Sequence, residues 1–287
     1  MSAERKVRPF YWSVRRELWE HSAIYLAPAA AAAVGLLGFL VSTFWLARSI
    51  GGEASKHSGP MMPYVFTAFA VMMIGFLVSI FYCLSALNGE RRDRSIQFWK
   101  SLPVSDLTTV LAKAAVPLVV LPAVLLMVIV GAQFVMLVFS TVVVLVNGID
   151  PGRLWARVDL RLMWTVLPYG LLVNALWLAP VYAWLLLISG WAKRMTFVWA
   201  LGPPLAVALF ERLAFNSTHV IRYLGERLLG GFGEAFSVRG EGKKEIESFS
   251  DIDPVATLSN PHIWGGLAVA GLLLAVIVRL RRSRDPI

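Results

Sequence analysis

Residues 114–149, AAVPLVVLPAVLLMVIVGAQFVMLVFSTVVVLVNGI, form a run of 36 residues without a single charge. How this run is read decides the fold. At ~1.5 Å of rise per residue one helix of that length would measure about 54 Å, against about 30 Å of bilayer hydrocarbon. Two spans of about 20 residues each plus a turn would barely fit. Gly131 is the only glycine near the middle, and no turn residues cluster around it. The run therefore reads as one long span, bent at Pro117 or Pro122 and projecting beyond the hydrocarbon.

The rest of the chain has the same character. Of 287 residues, 57% are hydrophobic and 16% charged. Mean hydropathy is +0.67. A soluble domain carries about 25% charge, so this is not a soluble globular enzyme, and it is too apolar for a disordered chain. One cysteine excludes a disulfide framework or a multi-cysteine metal cluster. The expected fold is all-α: a polytopic membrane protein with six transmembrane helices in a single domain over residues 1–287. The spans fall at about 24–47, 63–87, 110–145, 162–190, 195–214 and 262–280. The first follows some 23 polar and aromatic residues and reads as a retained signal anchor.

The net charge of +9 fits basic flanks at a cytoplasmic membrane face better than nucleic-acid binding. With six spans and both termini inside, 16 Lys and Arg lie inside and 11 outside. Seven spans give 19 and 8. Long translocated segments weigh little in orientation. Without the six basic residues from Arg212 to Lys244, six spans give 16 to 5 and seven give 13 to 8. The basic tail Arg279-Leu-Arg-Arg-Ser-Arg284 abuts a span directly, which favours six. The expected location is the cytoplasmic (inner) membrane.

Three segments lie outside the spans. Residues 9–22 read as an interfacial amphipathic helix, with Tyr11, Trp12, Val14, Leu18 and Trp19 apolar and Arg15, Arg16, Glu17 and Glu20 elsewhere. A simple basic flank of the first span is the other reading. Residues 88–105, NGERRDRSIQFWKSLPVS, hold a short helix in which Ile96, Trp99 and Leu102 share a face beside Phe98. Pro103 ends that helix, and Ser105 is placed to cap the next one, with Asp106 set against its dipole. The loop either docks in a partner's groove or is a solvated loop with lipid-facing aromatics. Residues 215–260 form an outer segment. It begins with a helix capped by Ser217 or Thr218, with Val220, Ile221, Leu224 and Leu228 opposite Arg222, Glu226 and Arg227.

Catalytic signatures are missing. No G-x-x-x-x-G-K-[ST], H-E-x-x-H or G-x-S-x-G occurs. The chain is therefore not expected to be an enzyme. Within the spans, Gln133 and Asn174 either line a substrate path or hydrogen-bond between helices.

The block from Glu90 to Ser105, with Leu107-Thr-Thr-Val-Leu-Ala-Lys113, resembles the segment after the second span of ABC-2 type permeases, the membrane subunits of ATP-driven exporters. In that family an acidic residue opens a cytoplasmic coupling helix, a Leu-Pro-Val/Leu-Ser/Thr turn ends it and a lysine opens the third span. Glu90, Leu102-Pro-Val-Ser105 and Lys113 match. The layout matches as well, with an elbow helix first, six spans, and re-entrant helices before the last. The resemblance implies an exporter permease with an unidentified substrate: across that family substrates range from ions and peptides to drugs, lipids and glycans, and the apolar spans of this chain are compatible with an amphiphile. Its partners would be a P-loop ABC ATPase subunit, a second permease copy and membrane lipids, with no nucleic acid. ATP and Mg would bind in the ATPase and no cofactor in this chain. Glu90, Arg94, Ile96, Phe98, Trp99, Leu102, Pro103 and Val104 would couple to the ATPase. A non-transporting membrane scaffold or assembly factor, or a membrane-embedded enzyme, are the alternatives.

The charge tally generates a test. A cysteine introduced at Arg284 should be protected from an impermeant thiol reagent added to intact cells, and one at Lys243 should be labelled. Labelling at 284 from outside would overturn six spans with an inner C-terminus.

Overall fold

The computed structural model describes residues 9–49, 62–89, 104–148, 150, 152, 160–235 and 254–283. Among them the helices are α1 (Pro9–Glu20), α2 (Ala23–Ser49), α3 (Met62–Ser85), α4 (Asp106–Ala115), α5 (Leu121–Val146), α6 (Leu160–Trp191), α7 (Thr196–Phe215), α8 (His219–Ala235), α9 (Pro254–Leu258) and α10 (Pro261–Ser283). The protein is all-α. Six helices are long and apolar enough to cross a bilayer: Ala23–Thr43, Pro63–Ser85, Asp106–Val146, Trp164–Trp191, Thr196–Phe215 and Pro261–Ser283. It is a multi-pass membrane protein.

The charge-free run from Ala114 is helical as far as Val146, within one span, Asp106–Val146, and turns at Asn147 and Gly148. A π-helical segment, Val116–Val120, joins α4 to α5 and contains Pro117. Proline removes one backbone donor and its ring crowds the carbonyl four residues earlier, here that of Lys113. Widening the turn to π geometry accommodates the ring without ending the helix. Gly131 lies in unbroken α5, and a Cβ there would meet nothing within 4 Å.

The helices form two compact units. One comprises Ala23–Val78 and Leu121–Tyr169. Within it α2 packs along α5. Phe39, Tyr64, Met136 and Leu137 are buried together, with Leu36 against them. The Phe39 and Tyr64 rings are 6.1 Å apart, and the Tyr64 hydroxyl is 3.0 Å from Ser140 Oγ. Two glycines permit close approach, the usual device where the hydrophobic effect cannot drive helices together in lipid. A Cβ on Gly35 would stand 2.6 Å from Thr67 Cγ2, and one on Gly75 would stand 2.5 Å from Leu125 Cδ1.

The other unit comprises Met1–Ser22, Ser79–Val120 and Gly170–Ile287. In it Ala179 and Ala183 of α6 meet Ala270 of α10, with Leu118, Leu267 and Leu274 around them. In the apolar stretch of α6, 61% of the residues are buried, against 11% in that of α7, so α6 is the more enclosed of the two. The α6–α7 hairpin turns at Met195, which adopts the left-handed conformation (φ 55°). Trp184 Nε1 donates to the Ala200 carbonyl at 3.0 Å, and Trp191 packs edge-on against Trp199. The α7–α8 turn passes through a left-handed Asn216, a residue type that tolerates this conformation. The start of α8 is capped by Glu211 rather than by a Ser217 or Thr218 side chain. The Glu211 carboxylate accepts from the backbone N–H of His219 at 2.8 Å and of Val220 at 2.7 Å.

Gly35→Val and Gly75→Val should each lower the thermal unfolding midpoint of the detergent-purified protein, by the equivalent of about 1–3 kcal/mol for an overpacked contact. Gly38→Val is the control, because a Cβ at Gly38 meets nothing within 4 Å. An equal loss at all three positions would contradict the packing described here.

Candidate functional site

The site is built around the side chain of Lys113, on the last turn of α4. Lys113 is 1% exposed and Glu17 of α1 equally so. A lone ammonium or carboxylate so deeply placed would cost several kcal/mol, in the range of roughly 3–5 kcal/mol when one partner of a buried pair is removed. Here each answers the other. Lys113 Nζ donates to Glu17 Oε1 at 2.8 Å. Arg16 Nη2 donates to the same oxygen at 2.9 Å, and the Tyr82 hydroxyl donates to Oε2 at 2.9 Å. His21 packs edge-on against Tyr82, with ring centroids 5.0 Å apart. Glu17, Glu20 and His21 are close enough for their ligand atoms to surround a cation. The ammonium of Lys113, with Arg16, already supplies positive charge there.

Tyr11, Trp12 and Trp19 are exposed, while Glu17 is buried. Arg15 lies over the Trp12 and Trp19 rings at 5.1 and 4.6 Å. The helix is held by its acid, and its aromatics face outward. Helical periodicity separates the two faces but does not say which one packs on protein. The 96-residue separation between Glu17 and Lys113 leaves no local signal for the pair.

The same unit holds both roots of the 88–105 loop. On the entry side, the backbone N–H groups of Leu87 and Asn88 both donate to Ser189 Oγ near the end of α6, each at 3.0 Å. Ser189 is fully buried. On the exit side, Ser105 is the N-cap of α4, with extended backbone and its Oγ accepting from Thr108 N–H at 3.1 Å. The expected capping role of Ser105 is thus realised. Asp106 Oδ1 accepts from Arg281 Nε of α10 at 3.3 Å.

The sequence-derived site residues divide accordingly. Val104 is described and half-buried, directly before the cap. Glu90, Arg94, Ile96, Phe98, Trp99, Leu102 and Pro103 lie outside the described residues. Gln133 is 2% exposed on α5, with Oε1 unpaired among the described residues. Asn174, half-buried on α6, belongs to the other unit. Neither candidate path residue touches the Lys113 cluster in any hydrogen bond of the described residues. Comparison with family models, curated proteins and solved structures finds no match for this chain.

The pair generates a double-mutant test. Glu17→Ala or Lys113→Ala alone should cost about 3–5 kcal/mol, because each leaves a buried charge unanswered. Glu17→Gln with Lys113→Met should recover most of that, read as thermal midpoint in detergent. Single variants as stable as the wild type would show that neither charge is buried in the protein.

Proposed function

We propose that the chain is the permease subunit of an ATP-driven exporter of the ABC-2 type, in which residues 88–105 receive motion from a separate P-loop ATPase. The observation that carries this reading is the anchoring of both roots of that loop. A loop that transmits force must be stiffly joined to the helices it moves. Leu87 and Asn88 are fastened to α6 through Ser189. Asp106 is fastened to α10 through Arg281. Lys113, two turns into the exit helix, is fastened to α1 through Glu17. A displacement of the loop would therefore reach α1, α6 and α10 together. A solvated connector would need none of these ties.

In this reading α1 is the elbow helix on the cytoplasmic surface, and both termini are cytoplasmic. The exposed Tyr11, Trp12 and Trp19 sit at the headgroup level, where amphipathic rings are favoured. ATP and Mg bind in the partner ATPase. Closure of the ATPase dimer pushes the loop, and the tied helices carry that motion to a path enclosed by two permease copies. The little-buried α7 has room for such a neighbour. The exported substrate is amphiphilic, in keeping with apolar spans lacking intramembrane acids at their centres.

Trp99 and Phe98 are the expected anchors on the ATPase, since large aromatics at an interface commonly cost about 2 kcal/mol or more on truncation. Phe98→Ala with Trp99→Ala should leave insertion and thermal stability unchanged, reduce co-purification of the cognate ATPase and abolish transport. Full ATPase stoichiometry and transport in the double variant would sink the coupling role. Mass measurement of the purified active complex should find two permease chains, and one chain in an active complex would refute the paired arrangement.

A further inference from the structure

A second buried charge, Arg227, has no counter-charge among the described residues. Arg227 lies on α8 with 4% of its surface exposed. Its guanidinium stacks on Trp177 of α6, with Cζ 4.4 Å from the ring centroid. Nη1 donates to the His262 carbonyl at 3.3 Å, a long bond. Nε and Nη2 are buried and have no hydrogen-bond partner among the described residues. No carboxylate of the described residues forms an ion pair with it. Burial pulls its pKa down from the usual arginine value, yet a guanidinium stays protonated in proteins. Among the described residues Arg227 is therefore a desolvated cation with two idle donors, an arrangement that costs free energy unless an anion from elsewhere answers it.

The guanidinium packs directly against a glycine of a third helix. A Cβ on Gly266 of α10 would overlap Arg227 Nη2. A Cβ on Gly231 of α8 would overlap Asn174 Oδ1, so the Asn174 amide reaches α8 one turn beyond Arg227. Trp177 is fixed in turn by its Nε1 donating to the Glu226 carbonyl at 3.3 Å. Three helices thus bring together a planar, fork-shaped donor, an aromatic platform and the Asn174 amide, with glycines where the Arg227 and Asn174 side chains make their close approach. Such a fork matches a carboxylate or phosphate with two oxygens in one plane.

We propose that Arg227, with Trp177 and Asn174, forms a binding site for a phosphate-type oxyanion, the headgroup chemistry of an anionic amphiphile or of free phosphate. This site is independent of the exporter reading, since it requires only that the buried guanidinium be neutralised by a ligand. It also places one of the two polar residues that the sequence singled out, Asn174, in a definite chemical setting.

The test uses the full chain purified in a neutral maltoside detergent and stripped of lipid. Wild type, Arg227→Gln, Arg227→Met and the exposed control Arg222→Gln are titrated with phosphatidylglycerol, phosphatidylcholine or inorganic phosphate. Bound lipid is read by native mass spectrometry and stability by thermal midpoint. Wild type and Arg222→Gln should bind phosphatidylglycerol in preference to phosphatidylcholine and gain stability. The Arg227 variants should lose that affinity at least about tenfold, the loss expected for charge-assisted bonds to an oxyanion. A gain with inorganic phosphate alone would identify free phosphate as sufficient, and a gain only with phosphatidylglycerol would identify the lipid headgroup. Without any anion, Arg227→Met should be at least as stable as wild type, because it removes an uncompensated charge. Undiminished binding by the Arg227 variants, or no gain in the wild type with either phosphatidylglycerol or inorganic phosphate, would overturn the site. So would a stability loss in Arg227→Met without anion, since the guanidinium would then be paired by the chain itself.

Discussion

The contact between Lys113 and Glu17 organises its unit because neither residue could remain charged there alone. A 2.8 Å ion pair between side chains each 1% exposed is all or nothing. With both partners in place the desolvation cost is offset by charge-assisted hydrogen bonds, and without one the other is stranded. The consequence is positional. Helix α1, short and poorly hydrophobic, gains a fixed seat on α4. Tyr82 and Arg16 complete the coordination of the same carboxylate and so tie the end of α3 to it. Pro117, one turn further on, brings a π-helical segment into the span at the level where this cluster ends.

The two amphipathic helices outside the spans obey a rule opposite to that of a soluble protein. In water the apolar face packs inward and the charged face is solvated. Here Trp12 and Trp19 of α1, and Ile221 and Leu228 of α8, are exposed on the protein, while Glu17 and Arg227 are buried. A lipid surround would account for this. Lipid welcomes aliphatic and aromatic side chains, so their exposure carries no penalty, whereas polar groups must find partners within the protein. Glycine and alanine contacts then do the packing that large apolar residues do in a soluble core. Ala179 and Ala183 against Ala270 are the clearest instance.

Helix α6 links the two polar regions of its unit. Ser189, near its end, holds the root of the 88–105 loop, and Trp177 with Asn174 stands beside Arg227. The twelve residues from Trp177 to Ser189 correspond to about 18 Å along the helix axis. This helix is also the most enclosed of the six. A buried helix with one polar contact at its middle and another near its end connects the root of that loop to the surroundings of Arg227.

Much of this architecture was legible in the residues. The charge-free runs determined six apolar helices, because no charge can be left in hydrocarbon without a large cost. The absence of turn residues around Gly131 determined that the longest run is one helix, and Pro117 marked where its geometry changes. Ser105 announced itself as a cap because a hydroxyl just before an acidic first turn satisfies orphan N–H groups. The pairing of Glu17 with Lys113, the burial of Arg227, the capping of α8 by Glu211 and the seat of Ser189 were decided only by tertiary structure. Each depends on which face of a helix meets protein, and periodicity is silent on that when lipid accepts the apolar face. Most also depend on partners far apart in the chain, 96 residues for the ion pair and 102 for the Ser189 contact with Leu87, where no spacing rule operates.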